Sequence, residues 1–293
     1  MTDLFYPTGA AANSRFALDI DAATAGWVYS GLKVLDLAPG ESADIATGSS
    51  EYAVLPLSGG CTVETDNSTH AIEGRKNVFS GISGFAYVPI DSTMRITSAG
   101  GGEIALCSAE ATRRIDPYAV PAAAIEVEVR GGGPGSRQIN NFLSADVWEA
   151  DKLIAVEVIT PEGSWSSYPP HKHDEMSETE VALEEIYYFR IDGDHGTGFF
   201  NAYTADGAIN ETVLVRDGDT FLVPRGFHGP AAASPGHHMY YLNVMAGPSP
   251  ERVWKFCDDP VHAWARDALE KLDPDPRLPM TTARPEKEGT PNA

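Results

Sequence analysis

The sequence predicts an all-β protein of two antiparallel β-sandwich or jelly-roll units, with a short helical segment near the C-terminus. Short apolar segments of extended character recur about every ten residues, and Gly and Pro punctuate them. That spacing belongs to sandwiches and barrels. The same order of parts also occurs twice along the chain. Apolar residues at helical spacing turn up only late, around residue 265.

The elements follow in order. In the first half, 32–37 leads into the turn Ala38-Pro39-Gly40-Glu41, and 51–57 runs to Ser58-Gly59-Gly60. Segments 61–65, 85–89 and 104–107 complete the set. Residues 116–137 read as a connection, because Asp116-Pro117, Val120-Pro121 and Gly131-Gly132-Gly133-Pro134-Gly135 are breakers. Strand character resumes at 153–160, 185–190, 212–215, 220–223 and 239–244. Each half has a strand ending in a turn, Ala38-Pro39-Gly40 or Thr160-Pro161-Glu162-Gly163. A Glu before an apolar strand follows, Glu51-Tyr52-Ala53-Val54 or Glu185-Ile186-Tyr187-Tyr188. Each half then reaches a Val-Pro, Val88-Pro89 or Val223-Pro224. The expected organisation is an N-terminal unit over 1–120, a linker over 121–145 and a C-terminal unit over 146–293.

Ser249-Pro250-Glu251-Arg252 reads as a helix start, with Ser as N-cap and Pro at the first helical position. Val261, Trp264, Ala265, Ala268, Leu269 and Leu272 then form a packing stripe. The last 20 residues, rich in Pro, Glu and Thr, are expected to be a tail of low order.

Composition narrows the function. The formal net charge of −21 repels phosphate backbones and anionic membranes, so nucleic acid is not expected as a partner. No apolar run approaches the roughly 18 residues of a membrane span. Met1-Thr2-Asp3-Leu4-Phe5-Tyr6-Pro7 has neither the basic nor the apolar region of a secretory signal. Cys61, Cys107 and Cys257 are far apart and odd in number, which suits reduced thiols in the cytoplasm.

The chemistry concentrates in Pro169-Pro170-His171-Lys172-His173. Two histidines at i and i+2 on an extended segment point to the same side. Glu184 or Glu185 opens the next strand. Glu185 is preferred, because it shares an inward face with Tyr187 and Phe189. His228 follows Gly218-Asp219 and Pro224-Arg225-Gly226. Three imidazoles and a carboxylate suit a divalent transition metal, Zn, Mn, Fe or Ni. Asp174, Glu175, Glu178 and Glu180 read as a solvated acidic excursion. His70, His195 and His262 lack spaced partners, and His237-His238 lies in a turn. The first half has no His-x-His pair and is expected to hold no metal.

These residues resemble the cupin superfamily, whose first motif is a Gly, an HxH pair and a Glu, and whose second is a Pro-x-Gly followed by His. Eleven residues stand between His173 and Glu185, where three or four are usual, and Gly226 lies one residue nearer His228 than usual. Residues 165–174, 183–190 and 240–247 together are similar to the 5-deoxy-glucuronate isomerase family of myo-inositol catabolism, a double cupin related to ketouronate isomerase. Gly74-Arg75-Lys76-Asn77-Val78-Phe79, Tyr87-Val88-Pro89, Arg130-Gly131 and Arg137 extend the similarity over most of residues 30–250. The resemblance implies a bicupin with ligands His171, His173, Glu185 and His228, zinc foremost. It implies aldose–ketose isomerisation of a uronate by a cytoplasmic homo-oligomer. Metal Lewis acidity would stabilise charge on the carbonyl oxygen. Tyr187 and Tyr241 are candidates for proton relay or substrate contact. Arg225 is favoured over Lys172 for the substrate carboxylate, and Arg190 is expected to face outward. A cupin Fe(II) dioxygenase could use the same ligands and would consume oxygen. A non-catalytic sugar-binding cupin would leave its sugar unchanged.

Overall fold

The structure, a computed structural model, describes residues 3–283. Two β-sandwiches account for almost all of it, and every strand pairing is antiparallel. In the first, a six-stranded sheet runs Tyr118–Val120, Phe85–Val88, Ser50–Pro56, Gly102–Glu110, Ser30–Leu37, Leu18–Ile20. It faces a four-stranded sheet of Glu41–Ala46, Thr93–Ser98, Gly59–Thr65 and Ser68–Arg75. In the second, a seven-stranded sheet runs Phe5–Tyr6, Thr220–Val223, Glu184–Ile191, Met239–Ala246, Ile154–Thr160, Arg137–Leu143, Glu126–Arg130. The facing sheet holds Gly198–Tyr203, Phe227–Ala233, His171–Lys172 and Cys257–Asp258. Both units have the two-sheet make-up expected, and neither closes into a barrel.

Three apolar cores follow. One fills the first sandwich, with Leu35, Val54, Met94 and Ile96. One fills the second, with Val156, Tyr187, Phe200 and Met245. The third lies between the two large sheets, with Val34, Leu55, Ile186 and Leu242. The central strands are therefore buried on both faces. In Met239–Ala246, Tyr241 and Met245 face the second sandwich while Tyr240, Leu242 and Val244 face the first unit. This is why such strands read as continuous apolar runs rather than alternations.

The internal duplication is visible as a reciprocal clasp. The buried carboxylate of Glu51 accepts from the backbone N–H groups of Asp151, Lys152 and Leu153 at 2.6–2.8 Å. Glu184 accepts from Val28, Tyr29 and Ser30 at 2.7–2.9 Å. Each unit thus uses one Glu to hold the loop that opens the other's central strand. The register agrees: Tyr52 pairs with Val88 as Glu185 pairs with Val223. Glu51 therefore corresponds to Glu184, one residue from the sequence alignment. Tyr52 takes the place of Glu185 and packs into the first apolar core.

Boundaries differ from expectation. The segment 121–145 carries two strands of the second unit's sheet, and Phe5–Tyr6 crosses over to pair with Thr220–Val223 in that same sheet. No helix starts at Ser249. Its side chain accepts from the Glu251 N–H at 3.3 Å, and the chain continues extended to pair Cys257–Asp258 with His171–Lys172. Tertiary pairing outweighs the capping signal. The helix is Trp264–Glu270. Ala265 is buried and Leu269 packs on Gly135, but Val261 and Trp264 are exposed, so only part of the stripe packs. Of the expected tail, 284–293 lies outside the described residues. The part before it is docked: the buried Gln138 donates to Thr281 Oγ1 at 2.8 Å and accepts from its N–H at 3.1 Å. A buried strand amide needs partners, and the chain end supplies them. All three cysteines are free thiols.

Candidate metal centre

The Glu184–Ile191 strand places Glu185 on the same face as Tyr187 and Phe189, inside the second sandwich. The opposite sheet supplies the imidazoles. His171 pairs directly with His228 across two neighbouring strands, and His173 follows two residues on. All four side chains are buried. One ring nitrogen from each histidine lies within 4.8 Å of the others. Glu185 Oε2 stands 2.8 Å from His173 Nε2 and 3.0 Å from His228 Nε2.

Backbone carbonyls orient the rings. His173 Nδ1 lies 3.1 Å from the Leu183 oxygen and His228 Nδ1 lies 3.3 Å from the Gly226 oxygen, so each can donate outward and turn Nε2 toward the cluster. The His171 ring donates to the Pro169 carbonyl. This is the outer support that metal-ligating imidazoles use.

Burial, reinforced by the two neighbouring histidines, pushes His171 well below the ordinary imidazole range. Burial acts the same way on His173, but the Glu185 carboxylate outweighs it and raises that group. Burial would raise Glu185, yet the adjoining His228 and His173 hold its carboxyl well below the usual range. The result is a buried carboxylate among three buried imidazoles. His228 Nε2 stands 3.0 Å from Glu185 Oε2 but makes no aligned hydrogen bond among the described residues. A buried nitrogen without a partner is costly, and a cation among these groups would satisfy it. The donor set therefore fits a divalent metal.

Tyr187 and Tyr241 stand beside the cluster, with ring centroids 5.1 Å apart. Ser167 Oγ lies between their hydroxyls, 3.3 Å from Tyr187 and 3.1 Å from Tyr241. Burial, helped by the charge of Glu185, raises both phenols above their ordinary value. They stay protonated at neutral pH. Ser167 is held at φ 49°, an unfavourable region for a non-glycine residue. Gly229, next to His228, lets the two segments meet. A Cβ there would fall 1.9 Å from the Ser167 carbonyl oxygen. Gly229→Ala is expected to push the Ser167 and His228 segments apart, costing about 2 kcal/mol of stability and tenfold or more in turnover. Thermal unfolding and steady-state kinetics check this. Unchanged kinetics would show that the close approach is not needed.

Arg225 is not brought here. It is about half exposed and faces Asp206 at 3.5 Å, because the regular strand begins only at Phe227. Lys172 points away from the cluster and binds Asp174 at 2.7 Å and Glu180 at 2.9 Å. The acidic insert is not simply solvated. Glu180 is buried, and Asp174 accepts from the Gly226 N–H at 2.7 Å, steadying the turn before His228. Arg190 is not a free outward group either, since it bridges Glu103 and Asp217 at 2.7 Å each. His237 and His238 bind the turn backbone at Asp192 and Glu162. His70 Nε2 is buried and without a hydrogen-bond partner among the described residues. His262 lies 6.3 Å, ring to ring, from Tyr168, which lines the pocket. Sequence reasoning missed Trp254, Phe256 and the pocket role of Arg137. Phe256 packs 4.8 Å from His171. The helix-start signal at Ser249 just upstream conceals this extended pocket wall.

The chain is similar over most of its length to known proteins. The 5-deoxy-glucuronate isomerase of Geobacillus thermodenitrificans is 40% identical over 248 residues, covering 84% of this chain and 89% of the relative. That of Geobacillus kaustophilus is 37% identical over 271 residues, covering 92% and 97%. A crystal structure of an IolB-like protein from Salmonella typhimurium superposes with a TM-score of 0.84 at 34% identity, covering 89% of this chain and 98% of that one. An oxalate decarboxylase from Lactobacillus farciminis shares the cupin fold at a TM-score of 0.65 and 10% identity, covering 88% and 89%. Residues 4–265 match the KduI/IolB family, and the chain belongs to it.

Proposed function

We propose that this protein is a metal-dependent aldose–ketose isomerase that converts 5-deoxy-glucuronate to 5-dehydro-2-deoxy-gluconate in myo-inositol catabolism. The observation that carries the reading is the buried His171, His173, His228 and Glu185 cluster, in a chain whose relatives bear the name 5-deoxy-glucuronate isomerase over most of their length. These four residues would hold one divalent metal, with zinc the first choice and Mn, Fe or Ni as alternatives. When bound, the metal supplies Lewis acidity toward the oxygens of the reacting carbons.

The chain's own residues do the rest. Carbonyls of Pro169, Leu183 and Gly226 fix the imidazole orientations. Tyr187 and Tyr241 hold their phenol protons, so both can donate to substrate oxygens, and Ser167 keeps them in place. The aromatic wall of Tyr187, Tyr241 and Phe256 limits water. The expected setting is the cytoplasm, as a homo-oligomer acting on a small uronate. No described helix is long and apolar enough to cross a membrane.

The test is the fate of 5-deoxy-glucuronate with metal-replete protein, followed by NMR. Appearance of the 2-deoxy-5-keto acid is the expected result. No conversion despite bound metal would end the substrate assignment.

A further inference from the structure

We propose that Arg137 is the receptor for the carboxylate of the substrate, fixing the end of the molecule remote from the three-histidine cluster. The proposal deepens the isomerase reading and rests on it for the identity of the substrate.

Three guanidinium groups line the pocket that His171 and Glu185 open into: Arg130, Arg137 and Arg266. Two are already neutralised. Arg130 holds Glu128 through two nitrogens, at 2.8 Å each. Arg266 holds Asp258 in the same way, at 2.6 and 2.5 Å. Arg137 is different. Its side chain is buried, and it forms no ion pair among the described residues. Its one hydrogen bond runs from Nη1 to the Gly135 carbonyl at 3.2 Å. Glu128 acts on it weakly, but that carboxylate is already held by Arg130. A guanidinium has five donors in a fixed fork. Here most of them are left to the pocket.

Burial, with Arg130 and Arg266 adding to it, pushes Arg137 down to about 10. The group is still a cation at neutral pH. A buried cation without a counterion is costly, so the site favours an anion. The fork matches a carboxylate in a bidentate manner.

The fold holds the group in place. Arg137 opens the strand Arg137–Leu143 and shares its face with Ile139, which lies in the core of the second sandwich. Gly131, at φ 74°, closes over it. A Cβ there would meet Gly135 O at 2.5 Å and Arg137 Nη1 at 2.8 Å. Leu269 and Leu272 of the C-terminal segment press on Gly135, Gly132 and Gly133 from behind. The glycine run, read from sequence as a linker, is a cradle for this arginine. A second observation points to a ligand in the same space. Trp254 lines the pocket with a buried Nε1 that has no hydrogen-bond partner among the described residues.

The test compares a uronate with a neutral sugar. Binding of D-glucuronate and D-glucose to metal-loaded protein is measured by calorimetry, beside KM and kcat for 5-deoxy-glucuronate. Arg137→Met is expected to weaken glucuronate about 100-fold while glucose is unchanged, with KM rising in parallel. Arg137→Lys keeps the charge but not the fork, so a loss of about tenfold is expected. It serves should the methionine variant fail to fold. If wild-type protein isomerises the uronate and Arg137→Lys shows unaltered KM, or loses both sugars equally, the carboxylate role is overturned and the isomerase stands. If wild-type protein binds glucuronate through Arg137 but converts nothing, the receptor stands and the isomerase falls. Binding of neither uronate overturns both.

Discussion

His171→Ala is expected to lower turnover of 5-deoxy-glucuronate by about 1000-fold and to abolish stoichiometric metal binding. The magnitude follows from the several kcal/mol that Lewis acidity contributes to charge stabilisation, at about 1.4 kcal/mol for each factor of ten. His171 is chosen because its loss leaves the others in place: His173 keeps Glu185 at 2.8 Å and His228 keeps the Gly226 carbonyl. The variant should therefore fold. Metal added to wild-type protein at about 100 times its dissociation constant should stabilise it by roughly 2.7 kcal/mol, and this increment should vanish in the variant. Chelation of the wild type should reproduce the loss of turnover, and added metal should reverse it. Elemental analysis, thermal unfolding and NMR of the product read the three effects. A variant with full activity and no metal would remove the metal from the reaction.

The sequence made the second sandwich's site legible because its chemistry follows strand periodicity. His171 and His173 face one way, Lys172 the other, and Glu185 shares a face with Tyr187 and Phe189, as a two-residue repeat requires. What was not legible depended on partners far away in the chain. Glu51 and Glu184 are exchanged clasps between units; strand periodicity puts Glu184 on the face opposite Glu185, but nothing local names its backbone partners in the other unit. Arg225 looked suitable by its nearness to His228. Arg137, 91 residues earlier in the chain, reaches the pocket only because 126–143 joins the sheet instead of serving as a linker. Residues 253–258 carry a helix-start signal just upstream, yet edge pairing with His171–Lys172 draws them into extended form. Local propensity is a weak guide wherever a strand pairs across a large sequence separation.

Arg75→Met is expected to cost about 3–5 kcal/mol, the usual penalty for leaving one member of a buried ion pair alone. Arg75 reaches from the first sandwich into the large sheet of the second and meets Glu157, with both side chains buried. Its other nitrogens donate to the carbonyls of Pro56 at 3.1 Å and Gly81 at 3.2 Å. Glu157 also accepts from Tyr240 at 2.7 Å and Asn140 at 3.0 Å. Burial disfavours the charged arginine, but Glu157 outweighs it and raises Arg75. The surrounding interface is apolar, and two apolar sheets can slide over one another at little cost. A buried pair with all three guanidinium nitrogens and both carboxylate oxygens engaged fixes one register, as Glu51 and Glu184 do at the edges. If that is its role, Arg75→Met and Glu157→Leu should not add. The double variant should recover at least about 1 kcal/mol relative to the sum, measured by urea unfolding. Simple additivity would show that the two side chains do not act as a pair. The consequence for activity follows from strand geometry. Tyr240 faces the ion pair, and Tyr241, the next residue, faces the pocket beside the three histidines. Loosening Arg75 should therefore lower kcat/KM by up to about tenfold even at temperatures where the variant is folded, because Tyr241 loses the anchor behind it.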